Sequence, residues 1–594
     1  MRHLFRLNKY FYRYRGRLLS GVIFVTVANI FGIIPAKLIR YALDDAAEKI
    51  QWYRLSSEFQ FSDGLMEVIS YNLVLFAVIV LLMALLKGLF MFLMRQTIIV
   101  VSRHIEYDMK NDIFRHYQNL DQTFYAVNNT GDLMNRISED VSRVRMYVGP
   151  AIMYTVNLVV MFILVIWAMM RVNPGLTFYT LLPLPALALI IYYVEEIINR
   201  KSEKVQERLS GLSTFVQEVF SGIRVLKSYS REAHFSSEFK EEATRYQDTS
   251  LQLTRVNALF HPSMVMLIGL STILTVFVGG LKVMEGEITI GNIAEFVIYV
   301  NMLMWPVAVL GWVVSLIQRA AASQKRINEF LDTKPFIQSG LYKPDSIKGK
   351  IEFRNVTYVY PNSGISALQD ISFVIEPGTY LAITGGTGSG KSTIANLLMR
   401  FIDPNQGTVL IDNRTLKDYD LDYYRSSTGF VPQEVFLFSD SIAANIAFGL
   451  KDPAPDAKII EQAAKDAAIH DNISGFPEGY ETRVGERGIT LSGGQKQRIS
   501  IARAIIRKPA ILIFDDCLSA VDTITEERII SSLNRIMKGS TKVIISHRIS
   551  SVKHADRILV LENGRLAESG THAELIRKQG IYNYMYESQV IENQ

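Results

Sequence analysis

The sequence predicts an α-helical membrane domain of six long transmembrane helices, followed by an α/β domain of the P-loop kind. Three observations carry this. Apolar residues are concentrated before about residue 320, in runs longer than the roughly 18 residues that mark a membrane span. From Ile351 onward the apolar positions Ile351, Phe353, Val356 and Tyr358 fall among polar ones, the pattern of a strand. Finally, Gly385-Gly386-Thr387-Gly388-Ser389-Gly390-Lys391-Ser392 completes the spacing G-x-x-x-x-G-K-S between an apolar run at 380–383 and a helical pattern at 393–399. That is the order of strand, glycine loop and helix a phosphate cradle requires. At 594 residues the chain also exceeds the 250 to 300 or so that one core sustains.

Taken in order, residues 1–17 are basic and aromatic, with Arg2, Arg6, Lys9, Arg13, Arg15 and Arg17 beside Phe5, Tyr10, Phe11 and Tyr12. This predicts an amphipathic elbow on the inner leaflet with its rings in the interface; the apolar run behind it is too long for a signal peptide. Within a membrane domain of 18–320, spans are expected at about 18–41, 68–98, 140–171, 175–197, 256–283 and 292–318. The basic start places the N-terminus in the cytoplasm, and the first loop, with Asp44, Asp45, Glu48, Glu58 and Asp63, suits the outside. Two long polar intervals keep helical period, as over 205–219, and read as spans running on into the cytoplasm as rods. Their turns are expected about 123–132, with Gly131 as breaker, and about 209–216, with Gly211; plain solvated loops are the alternative. Lys87, Glu195, Glu196 and Glu295 sit in or near apolar stretches, where a charge is a functional suspect, though snorkelling from a span end is the plainer reading. The net charge of +5 is modest for this length and gives no reason to expect a nucleic acid partner; the bilayer is the expected one. A single cysteine, Cys517, excludes a disulfide framework.

A linker is expected over 321–350, with Pro335, Gly340, Pro344 and Gly349, before a second domain of 351–594. In the glycine loop, Gly385, Gly386, Gly388 and Gly390 let backbone N–H groups of the Thr387 and Ser389 region curl round phosphates. Lys391 supplies a charge, Ser392 a Mg²⁺ ligand, and Thr393 lies in the helix whose N-terminus adds its positive end. Tyr360, at a strand end, is a candidate for stacking on a purine. Gln433 offers a neutral carbonyl to Mg²⁺ or water. Leu491-Ser492-Gly493-Gly494-Gln495 leads straight into a helix and is a second phosphate-binding surface. A buried strand at 510–514 ends in Asp515 and Asp516, of which Asp515 is placed to hold Mg²⁺ through water. His547, after a strand at 542–546, is expected to reach a terminal phosphate.

This set, together with Ser519-Ala520-Val521-Asp522 and in this order behind six spans, resembles an ABC exporter half-transporter with a fused ATP-binding domain, over nearly the whole chain. The resemblance implies ATP and Mg²⁺ as cofactors and a second half-transporter chain as partner. It also implies two cytosolic domains closing head to tail over two ATP molecules. Each site then takes the P-loop, Tyr360, Gln433, Asp515 and His547 from one chain and the signature 491–495 from the other. Thr482-Arg483-Val484-Gly485-Glu486 resembles the exporter loop that touches the partner's coupling tips. The implied cargo is a small apolar or amphipathic molecule, drug-like or lipid, and the implied location is the cell membrane with the ATP-binding domain in the cytoplasm. No peptidase domain precedes the first span, which argues against a peptide-processing exporter.

One departure bears on catalysis. The family usually carries Glu after the Asp of this strand, as the carboxylate that polarises the attacking water, and here Asp516 stands there. A carboxylate set back by about 1 Å can lose about a hundredfold in rate. The substitution resembles the degenerate-site subunit of heterodimeric exporters, which implies a heterodimer whose working site is completed by this chain's signature. A homodimer with two slow sites, or an Asp brought forward by local shifts, are the alternatives. The rival function is a nucleotide-gated regulator or channel with little turnover.

Overall fold

The computed structural model describes residues 2–56, 62–361, 363–450, 452, 455–485, 488, 491–519 and 521–592. Glu58, Glu486, Ala520 and the side chains of Asp63 and Glu195, named above, lie outside what is described. The chain divides into two compact units, one of residues up to Gln118 with Gly131–Thr333, the other of Asn119–Thr130 with residues from Lys334 onward.

In the first unit, five stretches among the described residues are long and apolar enough to cross a membrane by length and composition: Arg15–Trp52, Glu67–Asn119, Thr130–Val172, Glu232–Met284 and Ile290–Asp332. The fourth expected span, 175–197, falls on two helices, Pro174–Leu181 and Pro183–Ser221. Pro183 lacks the N–H that a continuous helix needs, and Glu196 and Arg200 follow within that second helix, pairing with each other. The helix Ser62–Asn119 has 58 residues, about 87 Å at 1.5 Å per residue, nearly three times the roughly 30 Å of hydrocarbon. Its excess length is a polar rod.

The turns at the rod tips follow the sequence expectation only in part. Gly131 lies inside the helix Thr130–Asn135; the chain breaks at Leu120–Asp121 and again at Asn128–Asn129, within the expected region, and between the two the Asp121 carboxylate caps the short helix Gln122–Val127 through the N–H groups of Thr123 and Phe124. The same carboxylate accepts from the backbone N–H groups of Phe336 and Ile337, a contact inside the second unit, to which residues 119–130 belong. Gly211 lies within Pro183–Ser221, since one glycine costs a helix only about 1 kcal/mol. The second turn begins eleven residues after Gly211, running from Gly222 to Arg231 around the helix Ile223–Ser228, with Ser230 in the left-handed region at φ 51°.

Residues 2–13 form two short helices, Arg2–Leu7 and Asn8–Arg13. Phe5 and Tyr12 are exposed, whereas Tyr10 is buried with its hydroxyl donating to Asp112 at 2.8 Å. Lys9 pairs with Asp112, Arg6 with Asp332 and Arg13 with Asp108, so acidic residues of the rods hold much of the basic charge expected to face the leaflet. Glu295 is fully buried and paired, 3.3 Å from Arg40 of the stretch Arg15–Trp52 and 2.7 Å from the Tyr299 hydroxyl. The last helix of the unit runs through Pro306 and on to Asp332, so the expected linker begins at Thr333 rather than 321. The polar residues at 321–332 are helix formers, and Arg326 pairs with the buried Asp140.

The second unit holds two sheets. Strands β1 (Ile351–Val359), β2 (Ser366–Ile375), β4 (Gln406–Ile411) and β5 (Arg414–Thr415) form an antiparallel layer in the order β2-β1-β4-β5. The larger sheet runs β10-β9-β3-β8-β7-β6, with β3 (Tyr380–Gly385), β6 (Thr428–Val431), β7 (Ile511–Asp515), β8 (Thr541–Ile545) and β9 (Arg557–Glu562) parallel and β10 (Arg565–Gly570) antiparallel at the edge. Alternate residues feed two cores. Leu381, Ile383, Ile511, Ile513, Val543 and Ile545 pack toward the antiparallel layer, while Ala382, Leu512, Phe514, Ile544 and Val560 pack with the helical residues on the other face. A period of two with both faces apolar is why these strands read as unbroken hydrophobic runs. Because β3, β8 and β7 are neighbours in register, their carboxyl ends open at one edge of the sheet, where open α/β folds hold ligands.

Candidate functional site

β3 delivers the chain into the glycine loop, and two positions there admit no side chain. Gly385 has φ 148° and a Cβ on it would sit 2.2 Å from the Leu561 carbonyl; Gly390 has φ 96° and its Cβ would meet the Ala367 carbonyl at 2.3 Å. Gly390 is the residue before the helix Lys391–Leu398. The Lys391 ammonium bends back over the loop, donating to the carbonyls of Gly385 at 3.0 Å and Gly386 at 2.7 Å. Burial pushes its pKa down, and the Asp516 and Asp515 carboxylates pull it back up.

Ser392 Oγ donates to Asp515 Oδ1 at 2.9 Å, across from the end of β7. Asp515 is 5% exposed. Burial raises its pKa above the ordinary carboxylate value; the Ser392 hydrogen bond opposes that shift and the Asp516 charge adds to it. A hydroxyl and a carboxylate side by side, with a glycine cradle that leaves backbone close to the cleft, fit a hard cation that takes few protein oxygens and completes its shell with phosphate and water. Ser392, Asp515 and Gln433 are the residues that would hold it.

Asp516 follows in the left-handed region, φ 45°, where Asp is among the few residues at ease. Its N–H donates to the Ile545 carbonyl at 2.9 Å, and its carboxylate oxygens lie 2.9 and 3.1 Å from His547 Nδ1. The Tyr360 hydroxyl is 3.2 Å from Thr393 Oγ1. One cleft of about 580 Å³ is lined by Tyr360, residues 387–393, Gln433, Asp515, Asp516 and His547, so a single cavity gathers residues drawn from nearly 190 positions of sequence. Gly385 and Gly386 form the back of the loop, beneath Lys391.

The signature is elsewhere. Leu491 is buried in the core, and Ser492 caps the helix Gly493–Ile505 in a reciprocal box, its Oγ accepting from Gln495 N–H and its own N–H donating to Gln495 Oε1 at 2.9 Å. Gly493 and Gly494 make the first turn. None of residues 491–495 lines the cleft. Sequence reasoning passed over Arg548, whose guanidinium donates to the carbonyls of Ser519 and Val521 and lies 3.7 Å from buried Glu526. It ties the segment after β7 to the segment after β8, and the only trace of it in the sequence is a basic residue directly after His547.

Comparison with known proteins bears on what this site serves. A family model described as the ABC transporter transmembrane region matches residues 17–307, and one described as ABC transporter matches 368–519. The chain is 32% identical over 593 residues to the multidrug resistance-like ATP-binding protein MdlA of Escherichia coli (strain K12), covering 100% of this chain and 97% of that protein. The chain belongs to the ABC half-transporters of the exporter type. An ATP-dependent lipid A-core flippase of Pseudomonas fluorescens (strain Pf0-1) is 34% identical to this half-transporter over 504 residues, 85% of this chain and 84% of the flippase. The solved structure of a bacterial Atm1-family ABC exporter with ATP bound superposes with a TM-score of 0.77 at 26% identity, covering 97% of this chain and 98% of that one. Membership makes the half-transporter an ATPase coupled to transmembrane transport, working as a dimer in the inner membrane with its ATP-binding domain cytoplasmic.

Proposed function

We propose that this half-transporter exports or flips an apolar or amphipathic molecule, drug-like or lipid, and that it does so as the subunit of a heterodimer whose own ATP site is catalytically impaired. The multidrug resistance-like protein and the lipid flippase among its relatives support the cargo class. The observation that carries the impairment is Asp516: a carboxylate one methylene short of the usual Glu, drawn to His547 Nδ1 at 2.9 Å. A displacement of about 1 Å costs about a hundredfold in rate.

When bound, MgATP supplies the binding energy that closes the paired ATP-binding domains and the anhydride whose cleavage resets them. This chain's residues position it. The loop 385–392 wraps the phosphates, Lys391 offsets charge at the β and γ positions, and Ser392, Asp515 and Gln433 offer oxygens to the cation. Tyr360 stacks on the base, and His547 meets the terminal phosphate. Ser492 and its glycines complete the partner's site, where most turnover takes place.

Vesicles carrying this chain and its partner test the function. ATP-dependent accumulation of a lipophilic dye or fluorescent lipid against its gradient is expected, and equilibration without accumulation would establish the channel or regulator reading that Asp516 also permits.

A further inference from the structure

We infer that Gln589, on the last described helix, is a positioning residue for His547 and that this helix governs how the ATP site senses the terminal phosphate. The helix Ile581–Glu592 is fastened at its first turn. Glu568 accepts from the N–H groups of Ile581 at 2.7 Å and Tyr582 at 3.2 Å, and Tyr582 is fully buried with its hydroxyl 2.7 Å from His572 Nδ1. Two turns further on, the Gln589 side-chain amide reaches the segment after β8. Its Nε2 donates to the His547 carbonyl at 2.7 Å and its Oε1 accepts from the Ile549 N–H at 2.8 Å.

One primary amide thus makes both bonds that a neighbouring strand would make across Arg548. Residues 547 and 549 follow the end of β8, beyond the ladder that fixes 541–545, so their backbone groups have no sheet partner there. Arg548 is held from the other side by its bonds to the Ser519 and Val521 carbonyls. Beside the Arg548 N–H, which donates to Ser546 Oγ at 3.0 Å, the backbone either side of Arg548 is therefore held by Gln589, and the His547 ring follows its backbone into the cleft. No other part of the helix needs to touch nucleotide for the helix to matter.

The inference rests on the reading that His547 meets the terminal phosphate, so the test is the preference for ATP over ADP, which does not depend on turnover. Displacement of a fluorescent nucleotide by ATP and by ADP is measured on the full-length purified chain. Gln589→Ala is expected to weaken ATP binding about three- to tenfold, the worth of one or two net hydrogen bonds, and to leave ADP binding unchanged. His547→Ala does the same, and the double variant loses no more than His547→Ala alone, because residues acting through one another are not additive. Gln589→Glu, which keeps the acceptor for Ile549 and loses the donor to His547, falls between. An unchanged preference in Gln589→Ala, an equal loss of ATP and ADP, or a fully additive double variant overturns the role of Gln589. If His547→Ala itself leaves the preference unchanged, it is the reading of His547 that fails.

Discussion

At Asp516 two constraints meet in one residue. The backbone is left-handed, φ 45°, a region in which Asp is tolerated and longer side chains less so, and the carboxylate is held by His547 at 2.9 Å. Purified chain alone is expected to hydrolyse ATP slowly, and Asp516→Glu to raise its rate by at least tenfold, as the longer arm reaches the position the reaction needs; release of phosphate in detergent or nanodiscs measures both. Turnover by the unmodified chain as fast as an ordinary exporter would remove the case for an impaired site. Asp515 makes a second prediction. Its folded pKa lies above the unfolded value because it is buried, so it contributes stability below about 3.8, the ordinary Asp value, and loses it as pH rises through the folded value. At pH 7 it is a net cost. Asp515→Asn is therefore expected to raise the thermal midpoint at pH 7 without Mg²⁺ or nucleotide, by an amount that shrinks on acidification; a lowered midpoint would contradict the burial argument.

On the scale of single elements, the glycine loop and the N-terminal elbow differ in how firmly sequence dictates them. Gly390→Ala places a Cβ 2.3 Å from the Ala367 carbonyl in a left-handed residue, a strain of about 1 to 2 kcal/mol for the backbone alone. It should abolish tight nucleotide binding, as judged by displacement of a fluorescent nucleotide. In the elbow, the Lys9 pair is half exposed and worth about 0 to 1 kcal/mol, whereas the Tyr10 hydroxyl is bonded to the same carboxylate from a buried position, worth about 1.5 to 3 kcal/mol. Tyr10→Phe should accordingly lower thermal stability more than Lys9→Ala; the reverse order would mean that charge, and not burial, holds the elbow. The glycine loop was legible because its constraint is local: strand, glycines and helix start are consecutive. The second rod turn was not. Gly211 looked like a breaker and is helical, because a lone glycine is a weak penalty against a long packed helix, while the real turn needed Gly222 and left-handed Ser230 together.

For the whole molecule, the proposed asymmetry of two ATP sites is the property to test. Lys391→Ala is expected to weaken nucleotide binding at this chain's loop and, in the heterodimer proposed above, to spare part of the turnover, since the partner's site would keep its own lysine and this chain's Ser492; complete loss of ATPase activity would argue for two equal, obligatorily coupled sites. The sequence by itself determined the membrane half, the P-loop, the signature and the acid pair. Each is a contiguous pattern whose meaning depends on period or spacing, and hydrophobic burial and phosphate geometry permit few alternatives to it. Only the tertiary structure decided which distant residues meet. The order β3-β8-β7 brings Ser392 onto Asp515 and Asp516 onto His547, the buried Glu295 finds Arg40 from 255 positions away, and Gln589 reaches back 42 residues to the backbone of His547. Such contacts leave no periodic trace, because one hydrogen bond between segments that fold together imposes a constraint on two residues and on nothing between them.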